Sequence, residues 1–136
     1  MQTFFTDYLN LLQQCHSDIL QSLEALPPAA LDWTPGQEMN SISVLVFHLT
    51  GAERFWIGDV AAQEPSNRDR DAEFRVHGTD MNILKKRLAD NIEYARAIIS
   101  EAEFEVVYAE TEVEQYNRTK IIIAIASIMT VLYMLA

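Results

Sequence analysis

Apolar side chains near the start of the chain recur every three or four positions, at Phe5, Tyr8, Leu12, Cys15, Ile19 and Leu23, with Asp7, Gln13, Gln14 and Ser17 off that line. This is one face of an amphipathic helix, predicted from about Thr3 to Leu26. Pro27 and Pro28 end it, because proline lacks a backbone donor and disfavours helical geometry in the residue before it. A linker is expected from Pro27 to Met39, and Ser41 then has the side chain to cap a second helix running to about Ala62. Its predicted inner face is Ile42, Leu45, Leu49, Ala52 and Trp56, with His48 on the same side.

From Glu64 to Gly78 the chain is charged, carries Pro and Gly, and shows no period, so it reads as a loop. Thr79 or Asp80 caps a third helix whose stripe is the most regular in the chain: Met81, Leu84, Leu88, Ile92, Ala95, Ile99 and Ala102. Val106, Val107 and Tyr108 suit a short extended piece, and a fourth helix fits Tyr116 to the C-terminus. A helix of some 22 residues is about 33 Å long, and a loop of some fifteen residues spans about that distance. The second connection can therefore return the chain and lay helices two and three parallel. The fold predicted is an all-α four-helix bundle, up-down-down-up, forming a single domain over residues 1–136.

Composition narrows the function classes. With 49% hydrophobic residues but four Gly and four Pro, the 136-residue chain has few turn formers for a sandwich or barrel. Ten Lys and Arg against twenty Asp and Glu give a net charge of −10, which disfavours nucleic acid as a partner. A lone cysteine, Cys15, cannot form an internal disulfide, and the N-terminus lacks the basic flank and apolar run of a signal peptide. Both point to the cytoplasm, and Asn117-Arg118-Thr119 is accordingly discounted as a glycosylation acceptor.

The segment Ile121 to Ala136 is apolar nearly all round. Its sixteen residues reach about 24 Å as a helix, short of the roughly 30 Å hydrocarbon core of a bilayer. Burial in the bundle together with a homodimer interface is preferred to a membrane anchor, although Arg118 and Lys120 precede the segment.

No phosphate-binding glycine loop, cysteine pair, nucleophile elbow or His-Glu-x-x-His motif is present. The imidazoles are His16, His48 and His77. On an inner face His48 needs a partner for its ring nitrogens, whether a metal, a carboxylate or a carbonyl, and a hydrogen-bonded core role is the ordinary explanation. His16 sits at the edge of the first stripe and reads as a partly exposed polar residue. Antiparallel helices would nevertheless give it the same depth as His48 and allow a two-histidine site. Glu53 and Asp59 follow His48 and have the chemistry to orient an imidazole or complete a metal shell. Trp33 and Trp56 read as core or interface packing, Cys15 as inert packing, and His77 as solvated.

The run Leu26-Pro-Pro-Ala-Ala-Leu-Asp-Trp-Thr-Pro35, then Asn40-Ser-Ile-Ser-Val-Leu-Val-Phe-His-Leu49, then Ala52-Glu-Arg-Phe-Trp-Ile57, resembles the DinB-like family in order and spacing. The match covers about the first 65 residues. It implies an up-down-down-up bundle, a homodimer, and a divalent metal such as zinc or nickel held by three histidines. It also implies transferase or isomerase chemistry on a small molecule with a low-molecular-weight thiol. His48 matches the first metal ligand. The other two, a histidine pair on the last helix, have no counterpart, since no histidine lies between Tyr116 and Ala136. Two functions follow: an enzyme related to those transferases with an incomplete metal site at His48, or a dimeric binding module that kept the bundle and lost the chemistry.

Overall fold

A computed structural model describes residues 2–108. Helix α1 spans Gln2–Glu24, α2 spans Ile42–Arg54, α3 is a single turn at Arg70–Glu73, and α4 spans Met81–Tyr108; no strand occurs among the described residues. Helix α2 continues without a break as a π-helix, Phe55–Ala62, ending at Gln63 in the left-handed conformation (φ 59°). The expected fourth bundle helix, and with it the apolar segment Ile121 to Ala136, lies outside the described residues.

The helices begin where the sequence supplies caps. Ser41 accepts a hydrogen bond from the backbone N–H of Val44, and Asp80 accepts one from Ile83. Asp69 does the same for Ala72, which explains why the charged stretch after Glu64 holds one turn of helix and not only loop. The extended piece expected at Val106 to Tyr108 is absent. Helix α4 runs through it, because adding a residue to an established helix avoids the cost of nucleation and overrides the β preference of two valines.

Cross-helix contacts set the directions. Helices α1 and α4 are antiparallel, with Glu24 near Lys85, His16 near Leu88 and Gln13 near Arg96. Helices α2 and α4 are parallel, since Phe47 and Thr50 meet Arg87, Glu53 meets Asn91, and Gly58 lies against Tyr94. The three long helices thus run up, down, down.

Two apolar clusters fill the space between them. One joins Phe5, Tyr8 and Leu12 to Ile57, Ile92, Ala95, Ile98 and Ile99; the other joins Leu23 and Val46 to Leu84, Leu88 and Leu31. Burying each leucine or isoleucine of these clusters contributes about 1.5–3 kcal/mol. Leu31 belongs to the linker, and its carbonyl accepts from both the backbone N–H and the hydroxyl of Ser43, which ties the linker to α2.

The inner face of α2 is rotated from the predicted one. Val46, Leu49, Glu53 and Ile57 are buried, whereas Leu45 is 42% exposed. The sequence pattern misplaced the face because Ser43, Thr50 and Glu53 are polar yet buried. Trp33 is 64% exposed and is not core, while Trp56 packs against the first cluster.

Candidate functional site

Two polar units sit on opposite sides of α2, five residues apart along it. The inner unit is His16, Glu53 and Asn91, contributed by α1, α2 and α4, and all three are at least 97% buried. His16 Nε2 lies 3.0 Å from both oxygens of Glu53, and His16 Nδ1 lies 3.2 Å from the carbonyl of Leu88. Asn91 Nδ2 donates to Glu53 Oε2. A carbonyl only accepts, so Nδ1 carries a hydrogen. The contact to Glu53 is then either an imidazolium donating to a carboxylate or a carboxylic acid donating to a neutral ring. Both are neutral overall, as burial requires. Tyr8 lies nearby, and burial, followed by the Glu53 charge, pushes its phenol pKa well up. The buried Tyr8 hydroxyl and Asn91 Oδ1 have no partner among the described residues.

His16 is therefore a core residue of the bundle and not a partly exposed one. It does not approach His48 as a second histidine of one site. Glu53 does orient an imidazole, but that of His16, on the opposite side of α2.

The outer unit is His48, Glu73 and Arg68. Glu73 closes α3 and is buried, whereas the His48 side chain is 35% exposed and rests against the Phe74 ring, with centroids 4.7 Å apart. Arg68 grips Glu73 with two parallel bonds, Nε to Oε1 at 2.6 Å and Nη2 to Oε2 at 2.8 Å. His48 Nδ1 is 2.9 Å from the same Oε2. Burial acts to raise the Glu73 pKa, but the hydrogen bonds and charges of Arg68 and then His48 outweigh it and hold the carboxyl below its usual range. An ionised Glu73 can only accept, so Nδ1 of a neutral His48 carries the hydrogen and Nε2 is left with its lone pair. Arg68 Nη2 also lies 3.2 Å from His48 Nδ1, so both groups gather at Glu73 Oε2.

Gly51 makes the arrangement possible. A Cβ at this position would overlap Glu73 Oε1, lie 2.6 Å from its carboxyl carbon and 3.2 Å from Arg68 Nε. Only a glycine lets the carboxylate reach across α2 to His48.

A divalent metal held by three side chains does not fit these residues. No three of His, Cys, Asp and Glu converge among the described residues, and both oxygens of the carboxylate beside His48 are taken by a guanidinium. Within this unit His48 keeps one ring nitrogen, Nε2, without a hydrogen-bond partner among the described residues. Asp59 turns away to accept from Ser66, and His77 lies in the exposed loop before α4. The Cys15 thiol pKa is raised by burial and then by Asp18 and Glu53, which fits an inert role. Arg68, Glu73 and Asn91 were not foreseen from sequence; the sole local signal was Asp69, a helix-capping residue inside the charged stretch. No described helix is long and apolar enough to cross a membrane.

A family model described as the DinB superfamily matches residues 11–126. No curated protein and no solved structure matches the chain.

Proposed function

The chain belongs to the DinB superfamily, and from that premise we propose that it is a small-molecule enzyme whose working atom is His48 Nε2, a general base toward a low-molecular-weight thiol. The observation that carries this reading is the 2.9 Å contact between His48 Nδ1 and Glu73. A carboxylate holding Nδ1–H fixes the tautomer in which Nε2 accepts protons, and it stabilises the imidazolium that results. The proton of a thiol S–H passes to Nε2, and the thiolate left behind is the nucleophile. Arg68 keeps Glu73 ionised and in place; it acts as a positioning residue. The thiol itself is drawn from the family resemblance. The described donor set does not make a centre for zinc or nickel. We also propose that the chain is a cytoplasmic homodimer whose interface draws on the nearly all-apolar stretch Ile121 to Ala136.

Alkylation of 2-mercaptoethanol by iodoacetamide at pH 7, in a Cys15→Ser background, tests the proposal. General-base assistance contributes about 10²–10⁴-fold. The parent should accelerate the reaction and His48→Asn should return it to the uncatalysed rate. Equal rates for the two proteins, or an acceleration that requires added zinc, would sink the reading.

A further inference from the structure

Beside the His48 unit, a cleft of about 360 Å³ opens between α2, the Ser66 to Asp69 loop and α4. Arg54, Arg68 and Arg87 line it together with Phe47 and Gly51. Asp69 and Glu73 also line it, so the formal charge is three positive against two negative, in a chain whose net charge is −10. Neither acid forms an ion pair with Arg54 or Arg87. Glu73 is held at both oxygens by Arg68, and Asp69 caps α3.

The two remaining guanidiniums are positioned without carboxylate partners among the described residues. Arg54 lies over the Tyr94 ring, 4.2 Å from its centroid. Arg87 lies 4.0 Å over the Phe47 ring and donates from Nε to the Thr50 hydroxyl and from Nη2 to the Phe47 carbonyl. Stacking orients both planar groups; the Arg54 donors have no hydrogen-bond acceptor among the described residues, which leaves an edge for bidentate recognition of an oxyanion, and Arg87 keeps Nη1 free. Burial pulls the Arg87 pKa down; attraction to Glu73 acts against it and repulsion from Arg54 adds to it. A half-buried cation without a carboxylate partner is costly, and an added anion would offset that cost.

We infer that this cleft is a binding site for the anionic end of a small molecule, a carboxylate or a phosphate, held between Arg54 and Arg87. The volume is at the small end for ligand pockets, which suits one charged group and not a large cofactor. Arg68 and Glu73 belong to both the cleft and the His48 unit. The inference therefore deepens the reading above, and rests on it for placing the reactive end of the ligand at Nε2.

Calorimetric titration of the full chain at low ionic strength, with inorganic phosphate in one arm and succinate in the other, tests it. Saturable one-site binding is expected for at least one of them, and the arm that binds assigns the anion class. Arg54→Gln should weaken binding at least tenfold and Arg54→Lys less. Arg87→Gln is a poorer test because Arg87 also holds the Phe47 carbonyl. His48→Asn should bind the anion as tightly as the parent, so loss of the thiol reaction and loss of anion binding report on separate claims. Absence of binding in both arms, or binding that Arg54→Gln leaves unchanged, would overturn the inference.

Discussion

Replacing Glu53 by alanine is expected to lower the stability of the fold by about 3–5 kcal/mol, the cost of removing one partner from a buried pair. The residue is 1% exposed and holds three elements at once, through His16 on α1 and Asn91 on α4. Its loss leaves His16 Nε2 and Asn91 Nδ2 without their carboxyl partner and opens a cavity. Glu53→Gln keeps the shape and one acceptor oxygen, and should cost less than half as much. Urea denaturation with an unchanged m-value measures both. A double-mutant cycle with His16→Ala isolates the pair, and a coupling energy below about 0.5 kcal/mol would show that the contact does not stabilise the fold.

Gly51→Ala should separate the outer unit from the rest of the protein. Two effects compete at this position. Alanine is favoured over glycine in a helix interior by about 1 kcal/mol, but its Cβ overlaps the Glu73 carboxylate, and such overpacking costs about 1–3 kcal/mol. The carboxylate must leave, because its other neighbours are the rigid fork of Arg68 and the ring of His48. The expected result is a net loss of stability of about 1 kcal/mol with a much larger loss of thiol reactivity, approaching that of His48→Asn. Adding Glu73→Ala to Gly51→Ala should relieve the overlap without restoring full stability, since Arg68 loses its carboxylate partner, and without restoring the reactivity. A Gly51→Ala protein as active as the parent would mean that Glu73 does not act on His48.

Much of the scaffold was legible because it is periodic. The stripe from Phe5 to Leu23 and that from Leu84 to Ile99 repeat at helical spacing, and their residues form the two clusters. Ser41 and Asp80 announced their helices through cap chemistry. The inner face of α2 was misread for a specific reason: hydrophobicity marks a buried face only when the buried residues are apolar, and here Ser43, Thr50 and Glu53 are buried because each finds a hydrogen-bond partner. The sites were less legible still. His16 and Glu53 lie 37 positions apart, and His48 and Glu73 lie 25 apart, so neither pairing leaves a local pattern. Glu73 and Arg68 come from a charged stretch without period, and charged residues in such stretches are ordinarily solvated. The resemblance singled out His48, which the structure places beside Glu73 and Arg68. It carried no information about Glu73, because the partners it implied for His48 were a histidine pair, and no histidine lies between Tyr116 and Ala136.

The claim on which the functional reading stands is the tautomer of His48, fixed by Glu73. Long-range proton–nitrogen correlation of its ring, recorded by NMR in the range where the imidazole is neutral, reports it directly. The structure predicts that Nδ1 carries the hydrogen and that Nε2 is the unprotonated nitrogen, an assignment that Glu73→Ala should convert to a mixture. A ring protonated at Nε2 in the parent, or one that Glu73→Ala leaves unchanged, would contradict it.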